Sequence, residues 1–321
     1  MTSPLVVRLE AELRGAADPI KRGALSAQLA CYEARIGEFG KAEVRRVELR
    51  KEFGDGHSAH VSILIMCLEG LLLYFKDLNP KARDRLFRAS LLSTACRQSA
   101  LIALTSAWLA HIDFNQGRFN SMAIAIAKCF EAMNEDDGSA MCRVSLVLGD
   151  SFSFVGQAPQ SRAWYEHARI VASRIGDQAA VGALTYNRAA LHVASARVRR
   201  LTSSLETSEV SYIDAEVRSA INYQHVARLA SLDHLLRAAI AISEVIDSPE
   251  VPAGSAELAL LRADNAHCLA RLQQFSLATS EADRANSIPS AGFDADDRAV
   301  IFGALSDYCV AAGNSAQAAD F

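Results

Sequence analysis

The feature that most constrains this chain is a two-helix pattern from Gly138 to Ile175, which recurs along the sequence. Its first half carries apolar residues at the three- and four-residue spacing of one helix face: Met141, Val144, Leu148, Phe152 and Val155. Gly149 on that face predicts the close approach of another helix. The pattern breaks at Gly156, and Pro159 predicts a new helix because proline suits a first helical turn. One such hairpin cannot bury its apolar side, so it predicts neighbours of the same kind.

Turn signals recur before and after this hairpin with a period of about 39 residues. Turns near Phe39, Phe119 and Phe275 each precede an alanine-containing segment, and proline is sparse, with 7 residues in the chain. The turn signal is missing near Arg197, so the repeat register between Arg197 and Leu232 stays open. The sequence predicts an all-α fold, an α-α superhelix of about seven to eight helical hairpins.

A single repeat domain is expected over residues 1–321. Residues 1–19 are predicted to form an N-terminal capping helix, residues 20–288 the repeats, and residues 289–321 a C-terminal helix of a truncated array. Ser58 is predicted to cap the helix that follows it, because a serine hydroxyl can accept a hydrogen bond from a free amide of the first turn.

Small and large residues of the central hairpin resemble the signature of the tetratricopeptide repeat: Leu148, Gly149, Phe152, Gly156, Tyr165 and Ala168. The turn Gly37-Glu38-Phe39, followed by Ala42, is similar to the inter-helix turn of that family. The period exceeds the family's usual length of about 34 residues, as in repeat arrays of bacterial regulators. The resemblance implies a superhelical scaffold with a concave groove, often the sensory or regulatory part of a longer chain with an output domain such as a diguanylate cyclase.

Candidate catalytic and metal-binding patterns are weak. No phosphate-binding glycine loop, dinucleotide fingerprint or zinc-protease motif is present in the sequence. Asp55, His57 and His60 lack a further ligand at metal spacing, and His111 with Asp113 fits no better. We therefore predict no enzyme activity, no cofactor and no metal site.

The seven cysteines are an odd number without paired spacing, which predicts free thiols in a reducing compartment. The longest apolar stretch, Val61 to Phe75, is interrupted by Glu69 and is too short to span a membrane. The N-terminus lacks a basic-then-apolar signal segment. A cytoplasmic protein without membrane contact is expected.

The net charge of −4 is unevenly distributed, with basic residues in excess over residues 1–200 and acidic residues in excess over residues 201–321. Such asymmetry can steer a charged partner. Basic residues on helices near Arg45 and Arg85 are diluted by acidic ones and lack interleaved aromatics, which favours solvated surfaces over direct nucleic-acid binding.

Candidate binding residues lie on the first helices of the hairpins, which line the groove in arrays of the family. Asn187, Asn222 and Asn265 fall at similar positions in three units, and an amide there can both donate to and accept from a peptide backbone. The same wall is predicted to carry further ligand-binding residues: Arg143, Asp150, Tyr186, Tyr223, His267 and Arg271. Arginine there can hold a carboxylate or phosphate by two hydrogen bonds. The alternative is that the asparagines bond neighbouring helices within the stack.

Two functional hypotheses follow. The first is a non-enzymatic scaffold whose groove binds a protein, a peptide or a small signal molecule. The second is a self-association module that forms a homodimer and so controls an attached output domain.

Overall fold

A computed structural model describes residues 3–185, 187–188 and 253–321 of the chain. The chain divides into two compact units, Met1–Leu184 and Thr185–Phe321, hereafter unit 1 and unit 2. Within the described ranges the regular structure is α-helical and no strand occurs. The prediction of an all-α helical solenoid is confirmed.

The helices of unit 1 form one leading helix and four hairpins, followed by a helical stretch at residues 178–184. In order, the helices are α1 Pro4–Gly15, α2 Pro19–Arg35, α3 Phe39–Phe53, α4 Ala59–Asp77, α5 Lys81–Ala95, α6 Ser99–Asn115, α7 Phe119–Ala132, α8 Gly138–Phe154 and α9 Ala158–Ile175. The even-numbered helices α2, α4, α6 and α8 are the first helices of the hairpins. The predicted hairpin at residues 138–175 is therefore α8 and α9.

Local signals in the sequence set several of these boundaries. The Ser58 hydroxyl accepts a hydrogen bond from the Val61 amide at 3.4 Å and caps α4, as predicted. Pro159 lies in the first turn of α9. The turn before it contains Gly156 at φ +73°, a left-handed conformation that glycine adopts without steric cost. The chain can thus reverse direction between α8 and α9.

Gly149 allows α8 and α9 to approach closely, which confirms the prediction for this residue. A Cβ atom added at Gly149 would lie 2.6 Å from Cδ1 of Tyr165, so the tyrosine ring packs directly over the α8 backbone. The Tyr165 hydroxyl donates a hydrogen bond to Oδ1 of Asp150 at 2.5 Å. This contact satisfies a polar atom at the buried end of the ring.

The main core of unit 1 is built around α4, and it includes Val61, Leu64, Leu68 and Leu71. By length and composition Ala59–Lys76 could cross a membrane, with a mean hydropathy of 1.6, so the length limit expected for Val61 to Phe75 does not hold for the longer helix. Half of this segment is buried inside the protein. A helix at the centre of a core is expected to be apolar on most of its sides.

The described part of unit 2 contains α10 Ala256–Arg271, α11 Phe275–Asn286, α12 Ala295–Ala311 and α13 Ser315–Ala318. Its core is rich in alanine, which lets α10, α11 and α12 lie close together. Glu281 of α11 accepts hydrogen bonds from Arg262 at 2.8 Å and from Arg284 at 2.9 Å. The predicted turn before Phe275 lies between α10 and α11, and residues 287–294 separate α11 from α12.

Candidate functional site

The first helices of unit 1 surround a cavity of about 360 Å³, which α1 and the stretch after α9 help to enclose. Its apolar lining comes largely from leucines of α1, α4 and α6: Leu5, Leu9, Leu64, Leu71, Leu101 and Leu104. Small-molecule sites are typically concave, mostly apolar and of this size. We refer to this space as the inner cavity.

Arg143 of α8 is the most unusual side chain of the inner cavity. The residue is only 7% exposed, and its Cζ lies 3.9 Å from the ring centroid of Trp108. Burial, with repulsion from Arg35, lowers the pKa of Arg143 to about 10, which still leaves the guanidinium protonated at neutral pH. No carboxylate of the described residues forms an ion pair or hydrogen bond with it. Arg143 is attracted by the Asp177 carboxylate, but that carboxylate forms its hydrogen bonds with Arg35, so Arg143 contributes a buried charge without an ion-pair partner of its own.

Arg35 of α2, in contrast, is fully paired. Its two terminal nitrogens donate to Oδ2 and Oδ1 of Asp177 at 2.8 and 3.1 Å, and the Ala180 amide donates to the same carboxylate at 3.0 Å. Burial alone would raise the pKa of Asp177, but the Arg35 charge and these hydrogen bonds hold it below its usual value. The pair is neutral overall, so Arg35, Asp177 and Arg143, the most buried charged groups of the cavity lining, together carry one excess positive charge.

Aromatic rings around Arg143 make this part of the protein rigid. His111 packs edge-on against Trp108 and Tyr74, at centroid distances of 5.7 and 5.4 Å. The Tyr74 hydroxyl accepts a hydrogen bond from Nδ2 of Asn115 at 2.8 Å. Burial lowers the pKa of His111 well below its ordinary value, and the positive charges of Arg143 and Arg35 lower it further. His111 is therefore neutral at pH 7.

We expect this neutral histidine to make the stability of unit 1 depend on pH. The pKa of His111 is lower in the folded chain than in the unfolded chain, where a histidine has a pKa of about 6.5. Below pH 6.5 the unfolded chain therefore binds more protons than the folded chain. Stability is thus full above pH 6.5 and falls with acidification, by at most about 1.4 kcal/mol per pH unit. Denaturant titrations between pH 5.5 and 7.5 measure this slope. His111→Asn should flatten it, and an unchanged slope in this variant would contradict the neutral assignment.

Three thiols also line the inner cavity, on α2, α4 and α8. Burial raises the pKa of Cys31 to about 12 and that of Cys142 to about 11, and it raises the pKa of Cys67 well above the ordinary thiol value. All seven cysteines of the chain are free, and five of them are buried. The cavity thiols remain protonated at neutral pH and behave as small apolar groups rather than nucleophiles.

The cavity lining also carries two acidic residues that are less buried than Arg143. Asp136 and Asp137 line it from the turn before α8, where Asp136 is exposed and Asp137 half-buried. The N-terminus of α1 closes one side, since the Ser3 hydroxyl and the Leu5 amide both donate to the Gly176 carbonyl, at 2.7 and 3.1 Å. The cavity lining thus combines buried charged groups with a more exposed acidic rim.

The structure distributes the residues predicted for ligand binding over different environments. Arg143 lines the cavity, whereas Asp150, seven positions along α8, is bonded to Tyr165. Asn187 is half-buried in a helical segment of unit 2. Three further predicted residues lie on α10 and differ in exposure: Asn265 is buried, His267 is half-buried and Arg271 is exposed. Three others lie outside the described residues: Tyr186, Asn222 and Tyr223.

Sequence reasoning missed the partners that define the site. Trp108 lies on α6, Arg35 on α2 and Asp177 after α9, and only the folded chain brings them near Arg143. His111 had been considered only as a metal ligand with Asp113. Asp113 instead pairs with Arg83, at a shortest distance of 2.5 Å. An available signal was that Trp108 and His111 share the face of one first helix, three positions apart.

The basic surface of α3 and α5 is a second polar cluster, on the other side of α4. Glu69 lies 2.8 Å from Arg50, 3.6 Å from Arg46 and 3.7 Å from Arg85. These arginines therefore serve in part to neutralise a half-buried carboxylate. The predicted preference for a structural surface over nucleic-acid binding stays a prediction.

The inner cavity is thus defined by its geometry and charge. Comparison of the chain with protein-family models, with curated proteins and with solved structures gives no match.

Proposed function

We propose that this chain is a non-enzymatic, tetratricopeptide-like regulatory module that binds a small ligand in the inner cavity. The observation that carries the proposal is the buried, uncompensated charge of Arg143 beside an apolar space of about 360 Å³. Taking an arginine out of water without a partner is costly, and a ligand group that pairs with it offsets this cost. A concave space of this size, with a leucine-rich wall beside the charged groups, favours a small molecule over an extended peptide.

The protonation states of the cavity thiols, and of His111 behind Trp108, support binding rather than catalysis. The thiols of Cys31 and Cys142 are held protonated, and His111 is neutral at neutral pH. An activated nucleophile needs an adjacent base or a lowered pKa, and these thiols have neither a lowered pKa nor a hydrogen bond to His111. The seven free cysteines favour a reducing, cytoplasmic location.

A rim substitution tests whether ligands enter the inner cavity. Ala100 lies exposed at the start of α6 and lines the cavity, so Ala100→Trp should block it without disturbing the core. Calorimetric titration of the full chain with 1-octanol, a neutral apolar probe, should show one site that this variant loses. Ala163→Trp, at an exposed position of α9 outside the cavity lining, is the matched control and should bind like the natural chain. Equal octanol binding by both variants and the natural chain would overturn the proposed site.

Self-association is the second candidate function, and an exposed aromatic patch favours it. Phe154 and Val155 are 67% and 63% exposed, and the Phe154 ring lies 5.5 Å from that of Phe119, centroid to centroid. Exposed apolar patches commonly mark contact sites. Light scattering over a dilution series measures the solution mass. A dimer that Phe154→Ser converts to a monomer supports this candidate, and a monomer at all concentrations rejects it.

A further inference from the structure

The charge balance of the inner cavity selects the chemistry of its ligand, and this inference rests on the proposed function. Arg35 forms an ion pair with Asp177, whereas Arg143 forms no ion pair or hydrogen bond with a carboxylate among the described residues. These three buried groups together therefore hold one excess positive charge. We propose that the ligand is a small amphipathic monocarboxylate, with its carboxylate on Arg143 and its apolar chain along the cavity leucines.

The geometry of Arg143 suits a carboxylate. A guanidinium presents its N–H donors in a flat fork that matches the two oxygens of a carboxylate. Trp108 contacts the guanidinium through its π face, with 3.9 Å between Cζ and the ring centroid. This contact stabilises the charge and leaves N–H groups available for oxygen acceptors. The tryptophan thus holds the fork in place before the ligand arrives.

A doubly charged head group fits the cavity less well. Among Arg35, Asp177 and Arg143 only one positive charge is in excess, and the Asp177 carboxylate would repel a second negative charge. Asp136 and Asp137 at the rim also disfavour an anionic group at the other end. Since an unpaired charge in a desolvated site is expensive, a dianionic phosphate ester would bind more weakly than a monocarboxylate.

The size of the cavity limits the length of the apolar chain. A water molecule occupies about 30 Å³ of liquid volume, so the cavity holds about a dozen groups of that size. Straight-chain carboxylates of about eight to ten carbons fill this space. Affinity should rise with each added methylene up to that length and then stop rising, whereas binding to an open apolar surface would continue to strengthen.

Matched probes of one chain length test the inference. Calorimetric titrations of the full chain with octanoate, 1-octanol and octyl phosphate compare a monoanion, a neutral group and a dianion. Octanoate should bind about 10- to 100-fold more tightly than octanol, as expected for a charge-assisted pair of hydrogen bonds. Octyl phosphate should bind more weakly than octanoate. Equal binding of octanoate and octanol, or tighter binding of octyl phosphate, would overturn the monocarboxylate assignment.

Variants of Arg143 link that preference to this side chain. Arg143→Met should lower octanoate affinity to that of octanol and leave octanol binding unchanged, while Arg88→Met, an exposed arginine of α5, should change neither. If Arg143→Met does not fold, Arg143→Lys serves instead, since it keeps the charge without the fork and should weaken octanoate binding about tenfold. Unchanged octanoate binding in the variant that folds would reject the role of Arg143. If Ala100→Trp abolishes octanol binding but the natural chain binds octanoate no more tightly than octanol, the monocarboxylate inference is rejected. The proposed function then remains intact.

Discussion

Asp177→Ala is expected to destabilise unit 1 by about 3–5 kcal/mol, the cost of leaving one partner of a buried ion pair uncompensated. The Asp177 side chain is 3% exposed, and that of Arg35 is 12% exposed, so water cannot replace the lost partner. The same carboxylate accepts the Ala180 amide, and its loss removes a helix cap as well. Both tryptophans of the chain, Trp108 and Trp164, lie in unit 1, so urea titrations followed by their fluorescence report on this unit.

Two controls separate the ion pair from the cap. Asp18 caps α2 through the Ile20 and Lys21 amides without an ion pair, so Asp18→Ala should cost only about 1 kcal/mol. The double variant Arg35→Met/Asp177→Asn removes both charges and should be more stable than Asp177→Asn alone. An Asp177→Ala effect no larger than that of Asp18→Ala would contradict the account of this pair.

Acid should weaken the same contact. The pKa of Asp177 is lower in the folded chain than in the unfolded chain, where an aspartate has a pKa of about 3.9. The contribution of Asp177 to stability is therefore complete above this unfolded pKa and is lost as the pH falls through the folded pKa.

Leu86→Ala is the second large effect, with an expected loss of about 2–5 kcal/mol. Leu86 of α5 is fully buried, and its Cγ would lie 2.8 Å from a Cβ atom added at Gly70 of α4. The leucine thus fills the space that this glycine leaves between the two helices of a hairpin. Truncation leaves a cavity there, because packed helices relax only partly. Fluorescence-detected urea unfolding measures the change.

Leu91→Ala, in the same helix, is the matched control. Leu91 is 53% exposed, so its truncation should change the free energy of unfolding by no more than about 0.5 kcal/mol. Equal effects of the two substitutions would show that the assigned faces of α5 are wrong.

Local patterns in the sequence predicted much of the fold of unit 1. The spacing of apolar residues located α8 and α9, Ser58 gave the start of α4, and Gly149 gave the close contact between two helices. These features depend on residues near each other in the chain, so spacing alone carries them. The hairpin is a local structure, and its recurrence predicted the all-α array.

The candidate site was less predictable, because its groups are distant in sequence. Arg143 was expected to line the inner wall. That it has no ion-pair partner follows from the ion pair between Asp177 and Arg35. The enclosure depends on α1, whose Leu5 amide reaches the Gly176 carbonyl. Neither pairing leaves a signature in the residue pattern of a single helix. Asp150 shows the same limit, since its hydrogen bond with Tyr165 follows from the packing of a neighbouring helix.

A crystal structure of the full chain grown with octanoate tests the central claim most directly. The account predicts ligand density in the inner cavity, with the carboxylate within hydrogen-bond distance of Arg143 and the chain along Leu64 and Leu101. An Arg143 guanidinium paired with a carboxylate of the protein itself, or a cavity filled by the protein's own side chains, would contradict it.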